Sequence, residues 1–205
     1  MTDRPIALEE RDRDGARMFS PSAGRNKADI ARVLADVLAD GASVLEVGSG
    51  TGEHGAALGE LRPDVVWQYS DPDADSRASQ AAWARDGWPA PLDLDLRVGT
   101  WWDGLARVDA VFSANMIHIA PIEAAIGLAE GASHLTDYVL LYGPFLCGEA
   151  SAPSNLAFDE SLRRRDPRWG VRELALVKHI FGERGFSLRK TRDMPANNLL
   201  LEFAR

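Results

Sequence analysis

Short apolar runs alternate along the chain with stretches whose apolar residues have helical spacing. The spacing over residues 26–38 predicts an amphipathic helix ahead of the first strand. The apolar runs predict strands, with helices between them at residues 76–85 and 122–132. These strands are expected at residues 43–47, 65–69, 92–98, 108–114 and 138–142. Alternation of this kind indicates a parallel sheet covered by helices on both faces.

The C-terminal part of the pattern differs from this alternation. A helix is predicted over residues 172–184, followed by two strands at residues 186–192 and 199–203 with a short connection between them. Two strands joined so closely form an antiparallel hairpin. The chain is therefore expected to build an α/β sheet of seven strands, mostly parallel, with an antiparallel C-terminal strand.

Length and charge restrict the organisation and the partners. A chain of 205 residues with 45% hydrophobic content can bury one sizeable core, so we expect a single domain over residues 1–205. The net charge of −8 argues against a nucleic acid or a membrane surface as partner, and favours a small molecule. Cys147 is the only cysteine and the first residues are charged, which predicts a cytoplasmic protein.

One apolar run leads into closely spaced glycines. Residues 44–47 include Glu46, and Gly48, Gly50 and Gly52 follow directly, before a predicted helix. Glycine permits unusual backbone dihedrals and a close approach of the main chain to a ligand, while the start of a helix offers unpaired amide groups. The pattern predicts a nucleotide-binding turn.

Two cofactors compete for this turn. Gly50, Gly52 and Gly55 have the spacing found in dinucleotide-binding proteins. Glu46 favours another ligand, because a carboxylate at the strand end would repel a pyrophosphate but could pair with the ammonium of an amino-acid group. The sequence thus favours S-adenosylmethionine over NAD.

The glycine turn, in its Glu/Asp-x-Gly-x-Gly-x-Gly form, resembles that of the class I methyltransferases that use S-adenosylmethionine. The likeness extends over nearly the whole chain. Four further stretches are similar to a small, poorly characterised methyltransferase-like branch: residues 25–27, 115–118, 142–145 and 194–198. The resemblance implies a Rossmann-like fold, S-adenosylmethionine as cofactor, methyl transfer to a small molecule, and an N-terminal arm or lid over residues 1–25.

Candidate cofactor residues follow the strands, because ligands of open parallel sheets bind beyond the carboxyl ends of the strands. Asp71 is expected to accept the ribose hydroxyls, or to be a turn residue before Pro72. The resemblance implies that Asp95 contacts the adenine amino group, although strand alternation explains it equally. Asn26 belongs to a segment that folds over the cofactor in the resembled family, and could also cap the helix.

Candidate acceptor-side residues lie after the later strands. His118 is expected to act as a general base, or else to hydrogen-bond within a structural turn. Asn115 could orient a substrate or cap the strand end. Tyr142 and Asn197 are expected to border the substrate. The histidines have no metal-ligand spacing, so no metal is inferred.

Two other functions remain open at this stage. A non-catalytic protein that binds S-adenosylmethionine would carry the same glycine turn, because binding and turnover use the same cradle. A nicotinamide-dependent oxidoreductase is the less favoured alternative.

Overall fold

The structure, a computed structural model, describes residues 10–205. The chain divides after Leu94 into two compact units. Among the described helices, none has the length and apolar character needed to cross a membrane.

The first unit combines a small hairpin, three helices and two parallel strands. Its elements are β1 (Asp12–Asp14), β2 (Arg17–Phe19), α1 (Pro21–Val37), β3 (Ser43–Val47), α2 (Glu53–Leu61), β4 (Val66–Ser70) and α3 (Ala74–Trp83). Strands β3 and β4 are parallel, with Glu46 opposite Tyr69. The glycines between β3 and α2 therefore lie at the carboxyl end of this pair, where a ligand site is expected.

Helix α1 begins at Pro21, five residues before the start predicted from the apolar spacing. Proline is favoured in the first helical turn, since its fixed φ suits the helix and its missing N–H would have no partner there. Ile30 and Leu34 are buried, which confirms the predicted apolar face. The early start places Asn26 inside the helix, so it is not the N-cap.

The hairpin of β1 and β2 was not predicted. It packs on α3, where the Met18 amide donates to Ser79 Oγ at 2.8 Å and Trp83 Nε1 donates to the Met18 carbonyl at 3.2 Å. The rings of Phe19 and Trp83 meet edge to face, with centroids 5.3 Å apart. Of the arm predicted over residues 1–25, residues 1–9 lie outside the described part, and the remainder forms this hairpin and the first turn of α1.

The strand predicted over residues 92–98 is wrong. Only Leu92 bridges to β4. The chain then turns, because the Asp95 side chain accepts a hydrogen bond from the Arg97 amide at 3.0 Å and its carbonyl accepts one from Val98 at 3.1 Å. An aspartate that bonds its own backbone in this way competes with a strand ladder.

The second unit contains the remaining strands and three helices. Its elements are β5 (Ala110–Ala114), α4 (Ile122–Leu135), β6 (Tyr138–Pro144), α5 (Pro153–Arg165), α6 (Leu174–Gly182), β7 (Ser187–Met194) and β8 (Asn198–Ala204). Strands β5 and β6 are parallel, whereas β8 is antiparallel to both β6 and β7. Apart from the hairpin of β1 and β2, the described residues contain six sheet strands, two in the first unit and four in the second, against the seven predicted. The mostly parallel α/β class and the antiparallel C-terminal hairpin are confirmed.

Candidate functional site

The glycine turn of the first unit needs its glycines. The φ angles of Gly48, Gly50 and Gly52 are 66°, 56° and 91°, in the left-handed region that other residues rarely adopt. Gly52 is the N-cap of α2, and no side chain of the described residues forms a capping hydrogen bond there. The amide groups at the start of α2 therefore lack a capping side chain, as in a helix that receives a ligand.

Four consecutive carbonyl groups of this turn, those of residues 49–52, accept hydrogen bonds from the protein. The Ser49 carbonyl accepts from the Gly52 amide at 3.2 Å. The next three carbonyls accept from side chains: Gly50 from Gln80 at 3.0 Å, Thr51 from Ser79 at 2.7 Å and Gly52 from the Tyr69 hydroxyl at 2.8 Å. The turn is fixed before any ligand arrives, which reduces the entropy lost on binding.

Asp71 lies at the carboxyl end of β4 and holds the turn from the side. Its Oδ2 accepts from the Gly50 amide at 2.9 Å and its Oδ1 from the Asp73 amide at 3.0 Å. The residue is 8% exposed. Burial is the main cause that raises the pKa of Asp71 to about 6, and the backbone hydrogen bonds oppose it.

Glu46 is buried beneath the turn, with 1% exposure. Its Oε2 accepts from Trp67 Nε1 at 3.1 Å. Its Oε1 has no hydrogen-bond partner among residues 10–205, and His54 Nδ1 lies 3.4 Å away. Glu46 therefore keeps one buried acceptor position unfilled.

Asn26 contacts α2. Its Oδ1 lies 3.0 Å from His54 Nε2, so Asn26 and Glu46 flank the two nitrogens of one imidazole ring. The predicted contact between Asn26 and the cofactor stays a prediction.

Glu53 is a buried residue that sequence reasoning missed. At 2% exposure, its Oε2 accepts from the Ser20 amide at 2.7 Å and from Thr51 Oγ1 at 3.0 Å, while Lys27 Nζ donates to Oε1 at 2.8 Å. This carboxylate joins the start of α1 to the start of α2. The signal available in the sequence was its place one residue after Gly52, where acidic residues stabilise a helix start.

Asp95 lies in the second unit and is engaged locally. Arg97 donates to it from Nε at 2.9 Å and from NH2 at 2.7 Å, and this bond is the main cause that lowers the pKa of Asp95. The Asp95 carboxylate is therefore hydrogen-bonded to the backbone and side chain of Arg97. The predicted contact between Asp95 and adenine stays a prediction.

His118 lies in the 3-10 turn that follows β5 and is fully buried. Its Nδ1 accepts a hydrogen bond from the Arg172 amide at 3.2 Å, so the neutral ring carries its proton on Nε2. Burial, followed by the charge of Arg172, lowers the pKa of His118 to about 3. Nε2 has no hydrogen-bond partner among the described residues. The ring is a neutral donor at physiological pH.

Arg172, also missed from the sequence, holds the turn around His118. Its Nε donates to the Ile117 carbonyl at 2.9 Å and its NH2 to the Ala120 carbonyl at 2.7 Å. The Gly170 amide donates to the His118 carbonyl at 2.9 Å. Proton uptake at Nδ1 would require the Arg172 amide to leave. The general-base role predicted for His118 stays a prediction.

Asn115 and Gly143 border the same imidazole. A Cβ added to Gly143 would lie 2.7 Å from His118 Nε2 and 3.3 Å from Asn115 Oδ1, so only glycine fits there. Asn115 has a φ of 60°, and its backbone amide donates to the Tyr142 carbonyl at 2.8 Å. Tyr142 is itself buried. Asn115, His118 and Tyr142 are thus brought together within the second unit.

Asn197 lies in the turn between β7 and β8 with a φ of 57°. Its Nδ2 donates to Ser154 Oγ at 2.9 Å, and its carbonyl accepts from Asn155 at 3.0 Å. The buried Asn155 also donates to the Phe145 carbonyl at 3.2 Å, and the Phe145 ring packs edge to face on His118. Asn197 is exposed and is connected to the His118 cluster through α5.

Solved methyltransferase structures share this fold. The pyocyanin biosynthetic protein PhzM is 17% identical, with a TM-score of 0.72 over 90% of this chain and 59% of its own. CalO1, a methyltransferase in calicheamicin biosynthesis solved with SAH bound, is 15% identical, with a TM-score of 0.72 over 89% and 54%. The chain therefore spans little more than half the length of these two proteins.

A third structure matches over more of its own length. Magnesium protoporphyrin IX methyltransferase (ChlM) from Synechocystis PCC 6803, with bound SAH, is 19% identical, with a TM-score of 0.65 over 90% of this chain and 83% of its own. At such identities the likeness establishes the fold alone. That fold is the Rossmann-like one of the class I methyltransferases.

The family is given by the sequence match over residues 17–205. The chain belongs to the family described as "Protein of unknown function (DUF938)".

Proposed function

We propose that the protein is an S-adenosylmethionine-dependent methyltransferase that acts on a small molecule. The observation that carries the proposal is the glycine turn, whose three left-handed glycines, uncapped helix start and Asp71 contact form a fixed cradle. The fold shared with methyltransferases, two of them solved with SAH bound, supports the same cofactor.

The residues of the first unit fit this cofactor. An ionised carboxylate has about four acceptor positions, and the Asp71 carboxylate uses one on each oxygen for backbone amides. Positions remain for the two hydroxyls of a ribose. Glu46 Oε1, which is buried without a hydrogen-bond partner in the described part of the chain, supports pairing with a cationic ammonium group.

When bound, S-adenosylmethionine supplies a methyl group activated by its sulfonium. The protein then needs mainly to orient the reactants and exclude water, and alignment alone contributes up to roughly 7 to 11 kcal/mol. We assign acceptor recognition to the second unit, where His118 Nε2 offers a buried hydrogen-bond donor beside Asn115. A donor at this place would hold an oxygen of the acceptor rather than remove its proton.

The charge of the chain supports a small-molecule acceptor. With a net charge of −8, broad attraction to a nucleic acid is unfavourable. ChlM is named for a small-molecule substrate, magnesium protoporphyrin IX, which agrees with this class. The cytoplasmic location and the single domain with an arm over residues 1–25 remain part of the proposal.

Transfer of a labelled methyl group tests the proposal. The protein is incubated with methyl-labelled S-adenosylmethionine and a fractionated metabolite extract, and in parallel with total RNA. We expect label in a small-molecule fraction, lost with Asp71→Ala. Label in RNA would overturn the substrate class. Cofactor binding without label in any fraction would favour the non-catalytic alternative.

A further inference from the structure

Arg11 lies at the edge of the glycine turn, ahead of the hairpin. Its NH1 donates to Ser76 Oγ at 3.3 Å, close to the start of α3. Its NH2 would lie 3.8 Å from a Cβ added to Gly50, which is an ordinary van der Waals distance. The space beside Gly50 is thus open enough for a further atom, and the guanidinium borders it.

Arg11 also acts on Asp71. The charge of its guanidinium lowers the pKa of that carboxyl, against the larger effect of burial. The same Asp71 carboxylate accepts the Gly50 amide. Arg11 and Asp71 therefore both adjoin Gly50, and they bring a cation and an anion to this part of the turn.

A ribose diol matches this pair of charges. Each hydroxyl donates one hydrogen bond and accepts others, so it is best held between a carboxylate that accepts and a guanidinium that donates. Bonds to a charged group are about twice as strong as neutral ones. A carboxylate alone would leave the hydroxyl oxygens without a protein donor.

We infer that Arg11 is a cofactor-binding residue that donates hydrogen bonds to the ribose hydroxyls whose protons Asp71 accepts. The inference rests on the proposed function for the identity of the nucleoside. It adds Arg11, the residue directly before β1, to the cofactor site.

Arg13 provides a matched control. It lies two residues further along, and its NH2 pairs with Asp75 of α3 at 3.1 Å, with both side chains mostly exposed. Arg11 and Arg13 thus both connect the N-terminal segment to α3, but only Arg11 borders Gly50. A role limited to attaching the segment predicts similar effects for Arg11→Ala and Arg13→Ala.

The experiment measures SAH binding by calorimetry for the wild type, Arg11→Ala, Arg11→Lys and Arg13→Ala. We expect about tenfold weaker binding for Arg11→Ala and unchanged binding for Arg13→Ala, with Arg11→Lys between them. Adenosine and 2′,3′-dideoxyadenosine then compete with SAH. The wild type should prefer adenosine by at least about tenfold, and Arg11→Ala should lose most of that preference.

The outcomes separate this inference from the proposed function. A wild type that binds no SAH overturns the cofactor assignment itself. Binding by the wild type, together with equal affinity or equal ribose preference in Arg11→Ala, overturns the role of Arg11 alone. If Arg11→Ala has a lower melting temperature than Arg13→Ala, the test uses Arg11→Lys instead. Wild-type SAH affinity together with wild-type ribose preference in Arg11→Lys would then overturn the inference.

Discussion

At the scale of single residues, Asp71 holds the glycine turn through the Gly50 amide, and the proposed function assigns its remaining acceptor positions to the cofactor. Its pKa of about 6 means that the carboxylate is ionised at pH 7.5 and mostly protonated at pH 5. Protonation removes acceptor capacity and the negative charge. Cofactor affinity should therefore depend on pH through this residue.

We expect SAH affinity of the wild type to fall by at least about tenfold between pH 7.5 and pH 5 because Asp71 is protonated, as measured by calorimetry. Asp71→Ala should bind at least about tenfold more weakly than the wild type at pH 7.5. Asp71→Asn has no titrating group at this position and should show a smaller change with pH. Equal pH dependence in the wild type and Asp71→Asn would assign the titration to another residue.

His118 makes a prediction about stability. Its pKa in the fold, about 3, is below the ordinary histidine value of 6.5. Between these values the unfolded chain binds a proton that the folded chain does not, so stability from this group is present above pH 6.5 and is lost as pH falls. Asp71, whose pKa is raised, acts in the opposite sense between about pH 4 and 6.

We expect the free energy of unfolding of His118→Gln, relative to the wild type, to improve by up to about 1.4 kcal/mol per pH unit as pH falls below 6.5. Urea unfolding of both proteins at pH 7.5, 6.5 and 5.5 measures it, and the comparison cancels the contribution of Asp71. Parallel pH profiles for the two proteins would show that His118 is not held neutral. In the wild type, ¹⁵N chemical shifts should show the proton on Nε2.

The sequence predicted the unusual backbone of the glycine turn. Gly48, Gly50 and Gly52 adopt the left-handed backbone that their spacing indicated. Arg172 and Arg11 were missed, because their contacts join positions far apart in the chain. The residues next to such an arginine in the sequence do not indicate which distant groups it will hydrogen-bond.

At the scale of elements, α2 packs on β4 through a glycine. A Cβ added to Gly55 would lie 2.5 Å from Trp67 Nε1 and 2.6 Å from the Tyr69 hydroxyl. Both aromatic residues are fully buried and hold the turn, through Glu46 and Gly52 respectively. Gly55 is thus explained by helix packing. The glycine at this position of the dinucleotide-binding spacing is therefore accounted for without a nicotinamide cofactor.

We expect Gly55→Ala to lower the free energy of unfolding by about 1 to 3 kcal/mol, since the added methyl group overpacks this contact. Gly24→Ala is the matched control, because Gly24 also lies in a helix but has open space around it. That variant should gain roughly 0.5 to 1 kcal/mol. Thermal unfolding of both variants measures the effects, and equal stability of the two would show that α2 does not approach Trp67 closely.

The strands that the sequence predicted correctly are those whose residues are mostly buried. Strands β3, β5 and β6 are apolar runs buried along most of their length, and their positions agree with the prediction to within two residues. Residues 92–98 failed because alternation of leucine with aspartate or arginine resembles a half-buried strand, whereas Asp95 and Arg97 bond each other. The hairpin of β1 and β2 was missed because its strands have three residues each and are largely exposed.

At the scale of the whole molecule, the chain places its candidate chemistry in two units. The glycine turn, Asp71 and Arg11 belong to the first, and the cluster of Asn115, His118 and Tyr142 belongs to the second. The fold is that of methyltransferases, while the acceptor and its recognition are proposals. In the proposed function, cofactor binding depends on the first group, and methyl transfer requires that the cofactor is bound.

Calorimetric titration of the purified protein with SAH, S-adenosylmethionine and NADH at pH 7.5 tests this central claim most directly. We expect both sulfur nucleosides to bind with one site per chain, and NADH to give no heat of binding, since the buried Glu46 carboxylate favours an ammonium over a pyrophosphate. Binding of NADH with no heat from either sulfur nucleoside would contradict the account.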